Sequence, residues 1–282
     1  MIDTPPTAAP HIVIFDSGVG GLSILQAARQ QLPHGRFSYL SDNGGFPYGN
    51  KPAHHVIDRA CRVLESFAAE VDDVDVYVIA CNTASTLALP RLRRHFTRPV
   101  VGVVPAIKPA AELSRNKYIG LLATPGTVKR SYTKRLIEEF ASDCHVVSVG
   151  SSALVELAER KLRQEYISPE QLQPILAPLI TLSSSNPTPA RLDTLVLACT
   201  HFPLLADEIA QALSPRVQLV DSGLAIARRI AYWTERIQPL ASLPTQPTYA
   251  WFTRADSSTE SLSDTLALFG FDEIRLLHIP TP

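Results

Sequence analysis

A chain of 282 residues can hold one large domain or two of ordinary size, each burying its own core, and two is the better starting expectation. Hydrophobic residues at 45%, charged residues at 19% and a formal net charge of −1 describe a globular protein with no basic excess to draw it to nucleic acid or anionic lipid. No apolar stretch is long enough to cross a bilayer, and MIDTPPTAAPHIVIFDSG at the N-terminus has no basic leader, so a cytoplasmic chain without a membrane partner is expected.

In chain order, short β-branched runs alternate with helical patterns. HIVIF precedes the helix LSILQAARQQL, RFSYL precedes a helix over 53–69, and VDVYVIA precedes a helix after Thr83. PVVGVV, KYIGLLA, CHVVSV, TLVLA and VQLVD continue the series, each followed by a helical stretch or turn residues. This alternation predicts an α/β fold of βαβ units, with mostly parallel sheets covered by helices. At Ser168-Pro169-Glu170-Gln171, Ser168 can cap a helix, Pro169 suits its first turn and Gln171 can close a capping box. SSSNPTPAR (183–191) and QPLASLPTQPT (238–248) read as loops.

A weak internal repeat divides the chain. VIACNTAS (78–85) resembles VLACTHFP (196–203): a strand, Ala-Cys, then a polar helix start. VIFDSGVGG and GLLATPGTV likewise open the two halves as strand, Gly-containing turn and helix. The expectation is two similar α/β domains facing each other across a central cleft, where such sheets bind ligands. Residues 1–100 with 215–282 would form the first, and 101–214 the second.

Four cysteines, Cys61, Cys81, Cys144 and Cys199, are widely spaced and read as free thiols. Cys81 and Cys199 each follow a strand and precede a helix, a position beside a helix N-terminus that favours the thiolate. Asn82-Thr83 and Thr200-His201 then offer amide, hydroxyl, imidazole and backbone N–H groups to hold a carboxylate. Inverting a carbon stereocentre by direct proton exchange needs one acid/base group on each face. Two matched thiols meet that need without a cofactor or a metal. Asp16, at the end of the first strand, and His201 are candidates to orient or deprotonate the thiols, and Asp42 and Glu159 are further candidates.

Other readings compete at each position. The two thiols and His201 suggest zinc, but there is no Cys-x-x-Cys and no second His at ligand spacing. Gly18-Val19-Gly20-Gly21 with Asp42 imitates a dinucleotide fingerprint, yet Ser23 holds the third glycine position and Asp16 would face the pyrophosphate. Asp16 could cap the helix that begins near Gly21, and His201 could be satisfied by backbone groups. Glu159 could belong to a solvated face with Arg160, Lys161 and Arg163. Cys61 and Cys144 read as small hydrophobes. Arg91, Arg93, Arg94 and Arg98, and Lys129, Arg130, Lys134 and Arg135, read as solvated helix faces with a phosphate partner left open.

FDSGVGGLS, DNGGFPYGNK, ACNTAST, VVGVVPAIKPA, ATPGTVKRSYT, ACTHFPLL and VDSGLAIARR, in this order between residues 12 and 231, resemble the motifs of the glutamate racemases. FPYG and CTHFPLL favour these over their aspartate relatives. The resemblance implies cofactor-independent interconversion of L- and D-glutamate for cell-wall synthesis, with Cys81 taking the proton from D-glutamate and Cys199 from L-glutamate. It places assisting groups at Asp16, Asp42, Glu159 and His201. It places substrate contacts at Asp16, Ser17, Pro47, Tyr48, Gly49, Asn82, Thr83, Thr127, Thr200 and His201. SSALVELAERK departs from the family's common Cys-Pro opening, and DNGGFPYG has two glycines where bulkier residues are frequent. ATPGTVKRSYT resembles a branch that responds to a nucleotide-linked wall precursor, which implies a regulatory partner, and the family includes monomers and homodimers. A racemase of aspartate or hydantoin type and a ligand-sensing module without chemistry are the alternatives; the second thiol argues against the latter.

Overall fold

The strand His11–Asp16 is buried along its whole length, as a central strand of a parallel sheet covered on both faces must be. In the computed structural model, which describes residues 9–184, 191–213, 215–240 and 248–280, it is the first of ten strands. These are β1 (His11–Asp16), β2 (Arg36–Ser41), β3 (Val76–Ile79), β4 (Val100–Gly102), β5 (Tyr118–Ala123), β6 (His145–Gly150), β7 (Thr194–Leu197), β8 (Gln218–Val220), β9 (Tyr249–Phe252) and β10 (Glu273–Leu276). The α-helices are α1 (Leu22–Gln31), α2 (Ala53–Glu70), α3 (Asn82–His95), α4 (Ile107–Leu113), α5 (Pro125–Lys129), α6 (Ser131–Phe140), α7 (Ala153–Leu162), α8 (Pro169–Ser184), α9 (Ala206–Ala212), α10 (Gly223–Thr234), α11 (Ser257–Glu260) and α12 (Ser263–Leu268). None is long and apolar enough to cross a membrane.

The strands form two sheets, ordered β10-β9-β2-β1-β3-β4 and β6-β5-β7-β8, and every strand pair is parallel. Alternation along β1 sends Ile12 and Ile14 into one core with Leu22, Leu25 and Tyr39. Val13 and Phe15 enter another with Leu64, Phe67 and Ile79. In the second sheet Leu122, Leu195 and Leu197 pack with Leu172 and Leu176, while Leu121, Ala123 and Val196 pack with Ile107 and Ala110. Each sheet is therefore covered on both faces, the arrangement expected of α/β architecture.

Strand pairing moves the domain limits read from the sequence. β4 pairs with β3 up to Gly102, so a division at 100 would cut it from its sheet. β8 pairs with β7 although it lies beyond 214, so the second unit extends through Val220. β9 and β10, unforeseen in the sequence, complete the first sheet beside β2. At the start of α8 the Ser168 N–H donates to Gln171 Oε1 at 2.8 Å, half of the anticipated capping box. That helix runs to Ser184, so it takes in the first two residues of the loop foreseen from 183. Its residues 185–190, like 241–247 of the other foreseen loop and the first eight residues of the N-terminus, lie outside the described residues.

Candidate active site

The C-terminal ends of β1, β3, β5 and β7 open on one cleft of about 530 Å³. Ser17, Pro47, Tyr48, Gly49, Cys81, Asn82, Thr83, Cys199, Thr200 and His201 line it, all of them among the residues singled out from the sequence. Phe46, Asn50, Thr124, Ser152, Val155 and Glu156 complete the wall and were missed. The two thiols come from different sheets at the matched strand-to-helix junctions that the repeat indicated. Each is 6% exposed, so both are shielded from bulk water.

Cys81 sits at the N-cap of α3, where its Sγ accepts from the Ala84 N–H at 3.5 Å and lies 3.5 Å from Ser17 Oγ. The helix start does not make it a thiolate at rest, contrary to expectation. Burial, reinforced by the nearby Asp16 charge, pushes the thiol up to about 12, outweighing the two hydrogen bonds. Cys81 is therefore a resting acid with stabilising donors already aimed at its sulfur.

The second thiol has a different escort. Cys199 Sγ lies 3.8 Å from His201 Nδ1, and His201 Nε2 lies 2.9 Å from Glu159 Oε1. Burial alone would lower the His201 pKa. The hydrogen bonds and charges of Cys199 and Glu159 prevail and raise it well above 6.5. Burial acts against the Glu159 carboxylate too. His201, the Val19 N–H and Arg163 nevertheless hold it below its ordinary value. Glu159 is thus no member of a solvated face: Arg160 pairs with Glu165 and Lys161 with Glu208, while Glu159 points inward. His201 likewise finds side-chain partners rather than backbone ones.

Asp16 does not cap α1, which has no side-chain cap. Its Oδ1 accepts from the Gly18 N–H at 2.8 Å and its Oδ2 from Thr200 Oγ1 at 3.0 Å, tying the first turn to the second thiol's loop. Complete burial raises its pKa, opposed by the His201 charge and these hydrogen bonds. The glycines of this turn are needed for close approach to the other sheet. A Cβ on Gly18 would lie 2.5 Å from Glu159 Oε1, and one on Gly20 would lie 2.4 Å from His201 Nδ1. The surface that a dinucleotide pyrophosphate would need is filled by these side chains, and Ser23 Oγ donates to the Thr200 carbonyl at 2.8 Å.

Asp42, expected as an assisting group, and Thr127, expected as a substrate contact, stand behind the wall instead of in it, and Asp16, expected as both, does not line it either. Asp42 is fully buried and takes hydrogen bonds from Tyr48 Oη (2.7 Å), Thr253 Oγ1 (2.7 Å) and Arg59 Nη2 (2.7 Å). Its carboxylate holds the Tyr48 loop and is not presented to the cleft. Thr127 supports Thr124, with their hydroxyls 3.0 Å apart, and it is Thr124 that lines the cleft. Thr124 caps α5 ahead of Pro125, a sequence signal for a strand-end cap that could have marked it. Among the described residues no group of three or more His, Cys, Asp and Glu side chains is disposed to hold a metal ion. Of the basic stretches, Arg93 donates to the Val100 carbonyl and Arg130 to Thr86, so these two are bound into the fold. Cys61 belongs to a core, and all four cysteines are free thiols.

Two shielded thiols from matched strand ends, each with its own escort and both open to one cleft, define an enzyme that moves protons on and off carbon. The family model described as Asp/Glu/Hydantoin racemase matches residues 22–230. A glutamate racemase of Photorhabdus laumondii is 46% identical over 98% of this chain and 93% of its own length. One from Proteus mirabilis is 47% identical over 98% and 94%. A crystal structure of Escherichia coli glutamate racemase, in complex with L-glutamate and the activator UDP-MurNAc-ala, superposes with a TM-score of 0.91 at 43% identity, covering 97% of this chain and 100% of that one. The chain belongs to the Asp/Glu/Hydantoin racemase family, whose members are isomerases.

Proposed function

We propose that the protein interconverts L- and D-glutamate by a two-thiol proton transfer, and the observation that carries this is the pair Cys81 and Cys199 on one cleft. Among the described residues, no Lys or Arg lines that cleft. The substrate carboxylates are therefore held by neutral donors, the hydroxyls of Thr83 and Thr124 and the N–H groups where α3 begins. Asn82 Oδ1 is buried without a hydrogen-bond partner and is placed to accept from the substrate ammonium.

From L-glutamate, the Cys199 thiolate takes the α-proton. The electron pair left on Cα moves into the α-carboxylate, where the surrounding donors stabilise it before water can. Cys81, a thiol at rest, gives its proton to Cα from the opposite face, and its new charge is met by Ser17 Oγ and the Ala84 N–H. Cys199 has gained a proton and Cys81 has lost one. The reverse reaction from D-glutamate starts from that state, and His201 with Glu159 accommodates the change of charge at Cys199. Asp16 positions Thr200, and Asp42 positions Tyr48.

The D-glutamate formed would serve peptidoglycan synthesis in the cytoplasm. A nucleotide-linked wall precursor is the candidate regulator, as the Escherichia coli relative's activator suggests. Titrating the purified protein with such a precursor checks this, and flat turnover removes it. The main test is incubation with each glutamate enantiomer in deuterated water. Both should decay to zero optical rotation with deuterium at Cα of the inverted product. Inertness toward both enantiomers sinks the proposal, and turnover of aspartate or hydantoins in their place would favour the related racemases.

A further inference from the structure

Arg163 follows α7, outside every motif that the family resemblance used. Its side chain is 22% exposed and forms a clamp: Nη2 donates to Glu159 Oε2 at 2.9 Å and Nη1 to the Glu159 backbone carbonyl at 2.8 Å. Nε donates to the Ser258 carbonyl in α11 at 3.3 Å, anchoring the clamp on the element that follows β9 of the other sheet. A planar guanidinium that holds both a side chain and its own main chain fixes that side chain's rotamer. With Oε2 held by Arg163, Oε1 takes the Val19 N–H at 3.0 Å and faces His201 Nε2 at 2.9 Å. Arg163 and Glu159 also line a second, partly open pocket behind the relay, so without the clamp the carboxylate has room to turn away.

We propose that Arg163 is a positioning residue for one half of the reaction: acting through Glu159 and His201, it sets the barrier for proton transfer at Cys199 and leaves transfer at Cys81 untouched. The inference rests on the racemase reading above. Cys81 has separate supports, Ser17 and the Ala84 N–H, and neither touches Arg163.

Rate alone cannot reveal a one-sided role. The two enantiomers have an equilibrium constant of one, so kcat/KM must fall equally in both directions whichever transfer is slowed. Isotope effects separate the sides. The α-deuteron of L-glutamate is transferred at Cys199, and that of D-glutamate at Cys81. Raising the Cys199 barrier makes that step limiting in both directions. The isotope effect with deuterated L-glutamate then grows, and that with deuterated D-glutamate shrinks toward unity.

The test compares wild type with Arg163→Met and Arg163→Lys. Arg163→Met should lower kcat/KM about 10-fold, the scale of one lost charged hydrogen bond, and its two isotope effects should diverge as described. Arg163→Lys, which keeps the charge and loses the clamp, should fall between; it carries the same test should the Met variant not fold. Glu159→Gln should show the same divergence, and adding Arg163→Met to it should slow the enzyme no further. Isotope effects that stay unchanged, or move together, in a variant of an active wild type overturn the role of Arg163 alone. A wild type inert toward both enantiomers overturns the racemase reading itself.

Discussion

Glu159 Oε1 and His201 Nε2 lie 2.9 Å apart in the interior, on side chains 9% and 4% exposed, and Cys199 waits on the other ring nitrogen. Burial on its own would lower the imidazole's pKa, and Cys199 and then the carboxylate, each by hydrogen bond and charge, raise it instead. Glu159→Gln should therefore shift His201 titration, followed by NMR, to lower pH. Loss of one charged hydrogen bond of about 1.5–3 kcal/mol corresponds to turnover reduced about 10- to 100-fold. Stability follows the same pair. The Glu159 contribution is present above 4.5 and lost as pH falls through its lowered value. That of His201 is full below 6.5 and lost as pH rises through its raised value. The stability advantage of wild type over Glu159→Gln should thus be greatest between these limits and shrink on either side.

Each thiol serves one face of Cα in the proposed reaction, so their serine variants should differ in the side they disable. Cys81→Ser should abolish inversion, by about 10²- to 10⁴-fold, while L-glutamate still exchanges its α-proton with deuterated water. Cys199→Ser should show the mirror result with D-glutamate. Exchange of both enantiomers in either variant would mean that one thiol reaches both faces.

Gly20 bears on the geometry of the same relay. A methyl group there meets His201 Nδ1 at 2.4 Å and Thr200 Oγ1 at 2.7 Å, and both are buried with little room to yield. Gly20→Ala should cost about 1–3 kcal/mol of stability by denaturant unfolding, with loss of turnover beyond that of a fold that simply loosens. A variant with wild-type stability and rate would show that the two domains separate here at no cost.

Asp42 tests a support one layer back. Its partner Arg59 is 19% exposed, so removing the carboxylate leaves a largely buried cation and a Tyr48 hydroxyl without an acceptor. Asp42→Ala should destabilise by about 3 kcal/mol and raise KM more than it lowers kcat, because Tyr48 and Gly49 line the cleft while Asp42 does not. An equal loss in kcat and kcat/KM with an unchanged KM would instead place Asp42 in the chemistry.

How much of this was readable in the sequence depended on burial. Strands such as β1 lie between two layers of helices, so they read as unbroken apolar runs. β10 is an edge strand, and its Glu-Ile-Arg-Leu leaves Glu273 and Leu276 exposed, which gives no such run. β9 has only four residues, Tyr249–Phe252. The thiols were legible because the repeat marked both. Glu159 was obscured by Arg160, Lys161 and Arg163, although it falls on the stripe of Leu154, Val155 and Ala158 that α7 buries. An acid on an apolar stripe, four residues before Arg163, was the available signal. Asp42 and Thr127 were placed one layer too far forward, since a motif locates a residue along the chain and packing decides which atom reaches the cleft.

Asp16 separates stability from function most sharply. Its carboxylate is wholly buried and its pKa is raised from the ordinary 3.8, so the native state binds more protons than the unfolded one just above that pH. The sign is opposite to that of Glu159: stability falls as pH rises from 3.8 through the folded value, above which the full burial penalty is present. Asn in its place keeps an acceptor for the Gly18 N–H and removes the charge, and the Thr200 hydroxyl can turn to accept from the new amide. Asp16→Asn should therefore melt at or above the wild-type temperature, with its advantage growing as pH rises from 3.8 through the range where Asp16 ionises, while turnover falls because Thr200 no longer meets a charged anchor. A variant less stable than wild type across that range would show that the two hydrogen bonds outweigh the burial of the charge.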